Sequence, residues 1–208
     1  FIQGVLFGSA TLAGSALTPL MLGWVVFSIV SGRLILKIGY RPVVIGGMAL
    51  FMFGFFWLSR MGPESAYVDI LPSMAVLGAG MGLAMVAILL AVQNIVPRNL
   101  MGTATSTNLF FRTIGGTVGV AIMGSVMAHR MTASLTGTSD PRLVELAANP
   151  DSVVSETTRR ALTPEALDWL RTALATSLES VFVVGIVIAA LAFLIALWFP
   201  AGSAEELA

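Results

Sequence analysis

The feature that most constrains this chain is a set of apolar runs, each long enough to cross a lipid bilayer as a helix. A helical span needs about 20 mostly apolar residues. Because lipid offers the backbone no hydrogen bonds, an uninterrupted run of this length has to be helical. We therefore predict an all-α, polytopic membrane protein, a transmembrane helix bundle with spans near residues 12–31, 42–59, 70–93, 103–128 and 177–199.

The composition supports a membrane protein and excludes several other classes. Hydrophobic residues make up 57% of the chain and charged residues 11%, whereas soluble domains carry about a quarter charged residues. The net charge is zero, so no overall field attracts nucleic acid, and we expect no nucleic-acid partner. The chain has no cysteine and one histidine, His129, which we interpret as an interfacial side chain. We predict no catalytic residues, no metal site and no enzyme activity.

The first residues, FIQGVLFGSA, lack an initiating Met and a basic leader region. Residues 1–7 look like the tail of a further apolar helix, which gives a bundle of five to six spans. We expect the chain to be a piece of a longer protein.

The charges of the connectors predict the orientation in the membrane, because short basic loops face the cytoplasm. The connector 60–69 holds one cation and two acids, and the next one holds Arg98 without an acid. We therefore place the first and third connectors and the C-terminus in the cytoplasm, and the long loop 130–176 outside. The first connector carries three cations within nine residues: Arg33, Lys37 and Arg41.

The end of the long loop carries the start signals of a helix. Thr163 is a capping hydroxyl, Pro164 suits the first turn, and Glu165 lies near the positive end of the helix dipole. We expect an amphipathic helix that acts as a solvated lid and leads into the last span, with Trp169 near the interface. Its apolar stripe consists of Leu167, Leu170, Leu174 and Leu178.

Glycine pairs in two of the predicted spans indicate close helix packing. Gly78 and Gly82 are four residues apart in LGAGMGLAM, and so are Gly115 and Gly119 in a later span. In lipid this spacing lets two helix backbones approach closely. No strand precedes LGAGMGLAM, so it is not a nucleotide-binding loop.

Arg112 is the one charge inside the span 103–128. An arginine at the centre of a membrane helix costs about 2.5–3.5 kcal/mol on insertion scales. Its side chain either extends to the cytoplasmic interface or pairs with an acid or a substrate-side group. On a helical wheel its side holds Thr105, Asn108, Gly115, Gly116 and Gly119, and the opposite side holds Phe110, Phe111, Ile114, Val118 and Ile122.

Two segments resemble a known family. In SGRLILKIGYRP, five residues match the loop motif G-x-L-x-D-R-x-G-R-R of the major facilitator superfamily, although Leu36 stands where the motif has Asp. The segment VPRNLMGTATSTNLFFRTIGGTVGV is similar to the C-terminal part of the EmrB/QacA-type drug:proton antiporters, the branch with about fourteen helices. The matching residues are Gly32, Leu34, Lys37, Gly39 and Arg41 in the first segment, and Pro97, Arg98, Gly102, Arg112, Gly115, Gly116 and Gly119 in the second.

The resemblance implies the C-terminal bundle of a multidrug exporter in a bacterial inner membrane. Such a protein works by alternating access between two bundles, is driven by the proton gradient and needs no cofactor. Its partners are the bilayer, a small lipophilic or cationic substrate, and the N-terminal half of the same protein. The implied cytoplasmic gating loop comprises Gly32, Arg33, Lys37, Gly39 and Arg41, with both glycines in a tight turn. The implied pathway or helix-contact residues are Asn108, Arg112, Gly115, Gly116 and Gly119.

Two alternatives stay open at this stage. An uptake or symport carrier for a small metabolite has the same fold, but it needs more polar groups within its helices. The sequence offers few, and most lie near predicted helix ends: Gln3, Gln93, Asn94, Asn108 and Arg112. A non-transporting membrane scaffold is the alternative from another class, and it predicts no functional loss when Arg112 or the loop cations are changed.

Overall fold

The computed structural model describes residues 2–134 and 163–199, and in these residues the fold is all-helical, as predicted. The helix ends that are predicted to face the cytoplasm lie together at one end of the bundle. This end is called the basic end because it carries Arg33, Lys37, Arg41 and Arg98. The other end is called the opposite end. The helices are α1 (Ala10–Ser15), α2 (Leu17–Ile38), α3 (Tyr40–Ser59), α4 (Tyr67–Ile95), α5 (Met101–Ser134) and α6 (Pro164–Ala196), with a 3₁₀ turn at Arg98–Leu100 before α5.

Five helical stretches of the described residues are long and apolar enough to cross a membrane. The first is Ala10–Ile38, which joins α1 and α2, and the others are α3, α4, α5 with its 3₁₀ turn, and α6. The first four predicted spans each lie inside one of these stretches. The fifth differs, because α6 begins at Pro164 instead of residue 177 and ends at Ala196 instead of residue 199.

The predicted tail of a further span is wrong for residues 2–7, which form turns and a bend instead of a helix. The amide of Gly8 donates to the Ile2 carbonyl at 2.9 Å, and Phe7 has a positive φ of 52°, so the backbone turns before α1 begins. Val5 is fully buried against Met131 of α5 and Leu170 of α6. This apolar segment is thus part of the core at the opposite end. Phe1 lies outside the described residues.

The predicted basic loop 33–41 is largely helical. Arg33 and Lys37 belong to the last turns of α2, Arg41 to the first turn of α3, and only Gly39 separates the two helices. Gly39 adopts φ 80°, a conformation that glycine reaches without steric cost, so one residue reverses the chain. The expected turn role of Gly32 is wrong, because it lies within α2. The sequence between Ser31 and Ile38 contains no proline, and the single glycine at Gly32 does not interrupt the helix.

Helix α4 is the most buried of the candidate spans. Half of its most apolar stretch (50%) is buried, whereas none of the corresponding stretch of α5 is. α4 packs against α2 on one side and α3 on the other, α3 packs against α6, and α6 against α5. Because α5 contacts little of the remaining bundle except α6, nearly its whole surface faces away from the described residues.

The glycine pair of α4 packs as predicted. A Cβ at Gly78 would collide with the Leu20 carbonyl oxygen of α2, and one at Gly82 would lie 2.6 Å from the Trp24 carbonyl oxygen. The Oγ of Ser31 donates to the Leu83 carbonyl at 2.9 Å along the same seam. For Gly115 and Gly119 the structure shows open space within 4 Å, so their packing role stays a prediction.

The N-terminal part of α6 is more than a solvated lid. Thr163 caps it, its Oγ1 accepting from the Ala166 amide at 3.3 Å, as predicted. The predicted amphipathic helix and the last span then form one helix of 33 residues, about 50 Å long. That length exceeds the bilayer core of about 30 Å. Leu170 and Leu174 are buried in the cluster with Met131, so this expectation is corrected: the leucine stripe packs against α5.

We expect Gly78→Ala to lower the free energy of unfolding by about 1–3 kcal/mol, because the new methyl group forces α2 and α4 apart. Thermal unfolding of the chain in detergent measures the change. Gly46→Ala in α3 is the matched control, since nothing lies within 4 Å of its Cβ position. Equal unfolding midpoints for the two variants would contradict the close α2–α4 contact.

Candidate functional site

The predicted gating residues lie together at the basic end, but only one of them has a specific contact. The Nη2 atom of Arg41 donates to the Leu197 carbonyl at 2.7 Å, at the C-cap of α6. A cation at the C-terminus of a helix is stabilised by the negative end of the helix dipole. Arg33 and Lys37 are exposed, and no hydrogen bond or ion pair to another described residue is seen for either. Leu36, in the motif's Asp position, is 76% exposed.

Two neighbouring polar residues at the end of α4 connect this helix to both of its neighbours. The Asn94 amide donates to the hydroxyl of Tyr40, the buried first residue of α3. The Gln93 amide donates to Thr105 Oγ1 of α5 at 3.1 Å. The end of α4 therefore joins the turn at Gly39 to α5. These contacts were not predicted, because sequence spacing does not show which helix ends meet.

Arg112 and Asn108 line a cavity of about 380 Å³ that is formed by residues of α2, α3, α4 and α5. The structure thus brings together two of the five predicted pathway residues. The other three, Gly115, Gly116 and Gly119, do not line it. Apart from Asn108 and Arg112 the cavity wall is apolar and consists of Trp24, Met48, Met85, Val86, Ile88, Leu89 and Phe111.

Arg112 lies 11 residues after the start of α5 at Met101, about 16 Å along the helix axis. Measured from Met101, this distance is about half the thickness of a bilayer core of about 30 Å. Its side chain is exposed, and within residues 2–134 and 163–199 no acid or carbonyl oxygen pairs with it. The guanidinium therefore opens into the cavity instead of being neutralised by its own bundle.

The predicted separation of Phe111 from Arg112 is wrong, because both line the cavity. Positions 108, 111 and 112 have the spacing i, i+3 and i+4, so they form one stripe on a helix. The wheel placed Phe111 on the opposite side because it measured angles from Arg112 alone. The cavity spans a wide arc of α5, since this helix stands away from α4.

The aromatic and methionine wall of the cavity was not predicted residue by residue. By sequence alone, Trp24 and Phe111 cannot be distinguished from aromatic side chains that face lipid. Met48 and Met85 likewise have no sequence signal that separates a cavity from a bilayer. Only the packing of the four helices α2, α3, α4 and α5 distinguishes residues that line a cavity from residues that face lipid.

A second, larger cavity of about 880 Å³ lies between α5 and α6 toward the opposite end. It contains His129, which was expected to be an interfacial side chain, together with Arg130 and Glu179. Its remaining lining consists of hydroxyl and small apolar groups. Within the described ranges, no group of three or more His, Cys, Asp or Glu residues has the arrangement of a metal site.

Residues 1–125 match the family model described as Major Facilitator Superfamily. The chain belongs to this superfamily. The prediction of a transporter-family protein instead of an enzyme is thereby confirmed, and its helices place it in a membrane.

Relatives of this superfamily chain include transporters named for drug resistance. "Multidrug transporter protein MdtP" of Bacillus subtilis is 36% identical over 75% of this chain and 29% of its own length. "Multidrug resistance protein 3" of the same organism is 30% identical over 90% and 38%. "Efflux pump roqT" of Penicillium rubens is 27% identical over 92% and 35%. The chain spans about a third of the length of these relatives.

We expect Arg41→Ala to weaken the end of α6, because the Leu197 carbonyl loses its charged donor. The local cost is about 0.3–1 kcal/mol for an exposed charge at a helix terminus. Faster hydrogen exchange of the amides of Leu197 and Trp198 measures it. Arg33→Ala removes a neighbouring cation that has no such contact and should leave this exchange unchanged. Equal exchange in both variants would show that the Arg41 contact does not hold the helix end.

Proposed function

We propose that this chain is the C-terminal bundle of an EmrB/QacA-type exporter that moves lipophilic compounds across a bacterial inner membrane. The observation that carries the proposal is the cavity at Arg112, which lies near the depth of the bilayer midplane. Transporters of this kind bind substrate at the midplane, where two bundles meet. The relatives that are named as multidrug transporters and efflux pumps support the proposed outward direction of transport.

The lining of the cavity suits lipophilic compounds. Trp24 and Phe111 offer flat apolar surfaces, and Met48 and Met85 adapt to different shapes because their side chains are unbranched and polarisable. An uptake carrier for a polar metabolite needs several hydrogen-bonding groups in its site. Among the nine lining residues only Asn108 and Arg112 are polar, which favours the exporter.

The surface of α5 supports a site shared with the preceding part of the same protein. This helix leaves large apolar side chains exposed along its length, among them Phe110, Val118 and Val120. The described helices therefore leave most of α5 uncovered. In the proposed exporter the N-terminal half closes the cavity, and the two halves rock around it in alternating access.

The proposed driving force is the proton gradient, which requires no cofactor. No carboxylate of the described residues lines the Arg112 cavity, so the proton-carrying acids are proposed to lie in the preceding half. At the basic end, the turn at Gly39 and the contact of Arg41 with α6 are proposed as parts of the cytoplasmic gate. The motion of this gate would pass through Tyr40 and Asn94 to α4.

Reconstitution of the full-length protein tests the proposed efflux function. We expect proteoliposomes to transport a neutral lipophilic dye such as Nile red when a proton gradient is applied, and a protonophore to abolish this transport. Trp24→Ala should lower the dye affinity by about tenfold, because burying one large apolar side chain is worth about 1.5–3 kcal/mol. Trp57→Ala is the matched control, since Trp57 of α3 does not line the cavity. Transport that is independent of the gradient, or equal effects of the two substitutions, would refute the proposal.

The proposed orientation has a separate test in this cysteine-free chain. Asn99→Cys lies in the exposed 3₁₀ turn at the basic end, and Glu64→Cys lies in the exposed connector at the opposite end. An impermeant maleimide added to intact cells should label Glu64→Cys and spare Asn99→Cys until the cells are opened, because basic connectors stay in the cytoplasm. Labelling of Asn99→Cys in intact cells would reverse the orientation.

A further inference from the structure

We infer that the Arg112 cavity selects lipophilic anions: small compounds with an apolar, aromatic body and a single anionic head. This inference rests on the proposed function and names the charge of the substrate that the cavity accepts. Anion selection replaces the expectation, drawn from the family resemblance, that this bundle's part of the site accepts a cationic substrate. The charge, the depth and the lining of the cavity carry it.

Arg112 gives the cavity wall a positive charge. A guanidinium stays protonated in proteins, so the cavity wall carries a permanent positive charge. Near the middle of a bilayer that charge is costly without a counter-ion. No described residue neutralises it. A ligand with an anionic head supplies the missing charge, whereas a cationic ligand adds a second positive charge in a medium of low dielectric constant.

The acids Asp69 and Glu179 lie away from the Arg112 cavity. None of the cavity's lining residues is Asp or Glu. Asp69, the acid of α4, lies in the first turn of that helix, 16 residues or about 24 Å along the axis from Met85. Glu179 of α6 lines the other cavity. The described bundle therefore has no acid placed to attract a cation to this site.

The two polar groups of the cavity, Asn108 and Arg112, are arranged side by side. Asn108 and Arg112 are four residues apart on α5, so their side chains are neighbours on one face of the helix. An amide donor beside a guanidinium fork suits a carboxylate, sulfonate or phenolate oxygen, which accepts hydrogen bonds from both. Phe111 flanks this pair, and Trp24 and Met85 lie on the facing helices. The head of the ligand would meet α5 while its aromatic body contacts α2 and α4.

Tetraphenylborate and tetraphenylphosphonium test the inference, because the two ions have nearly the same size and shape and differ in the sign of their charge. Binding of each is measured by equilibrium dialysis against the full-length transporter in lipid nanodiscs, with binding to empty nanodiscs subtracted. We expect the anion to bind at least about tenfold more tightly, which corresponds to about 1.4 kcal/mol. Arg112→Gln should remove this preference, and Arg112→Lys should retain its sign because it keeps the charge.

Arg130→Gln is the matched control, since Arg130 lies on the same helix but lines the other cavity. It should leave the ratio unchanged. Equal binding of the two ions, or tighter binding of the cation, would overturn the inference, and so would a preference that survives Arg112→Gln. Equal binding is also the result expected if a carboxylate of the preceding half neutralises Arg112. If Arg112→Gln does not fold, the ratio of anion affinity to cation affinity in the wild type and in Arg112→Lys decides whether the inference holds.

The result is separable from the proposed efflux function. Nile red is neutral, so its transport does not depend on the charge preference. Gradient-driven dye transport together with equal binding of the two ions would refute anion selection and leave the exporter standing. Absence of dye transport together with a tenfold anion preference would support the site and refute proton-driven efflux.

Discussion

The requirement that each backbone polar group be satisfied inside lipid determines most of this structure. It makes every long apolar run a helix. Lipid tails are as apolar as leucine side chains, so the hydrophobic effect does not drive one helix against another. Association then depends on close packing, and the glycines of α4 provide it. At Gly78 and Gly82 the backbone of α2 occupies the space that a side chain would need. Helix α4 is consequently the centre on which α2 and α3 pack, and the remaining helices are arranged around this group.

Polar contacts are concentrated at the two ends of the bundle, where they hold neighbouring helices in register. At the basic end Arg41 contacts the C-terminus of α6, and Asn94 contacts Tyr40. At the opposite end Arg171 of α6 donates to the Pro63 carbonyl, and Ser15 and Tyr67 share a hydrogen bond at 2.8 Å. Between these ends, packing is apolar or between small residues, with one buried hydrogen bond from Ser31 to the Leu83 carbonyl. Motion of one helix end is therefore transmitted to particular partners, which suits a bundle that has to rock as a unit.

Helix α5 stands apart from this arrangement, and the candidate site follows from that separation. It is joined to the bundle by the Gln93–Thr105 bond at one end and by the Met131 cluster with α6 at the other. The gap between these attachments is the cavity at Arg112. An arginine placed there is accessible and unpaired within the described bundle. The same separation leaves the face of Gly115, Gly116 and Gly119 open.

The sequence alone determined the membrane class, the number of long helices, the cap at Thr163 and the packing role of Gly78 and Gly82, because each depends on local composition or spacing. It also singled out Arg112 and Asn108, since polar groups in an apolar span are conspicuous. Only the tertiary structure decided that the start of α6 packs against α5 and that Trp24, Met48 and Phe111 share a cavity with Arg112. These features depend on which helix lies beside which. An apolar side chain that faces lipid and one that faces a cavity are identical in sequence, and they differ only in what the neighbouring helices leave uncovered.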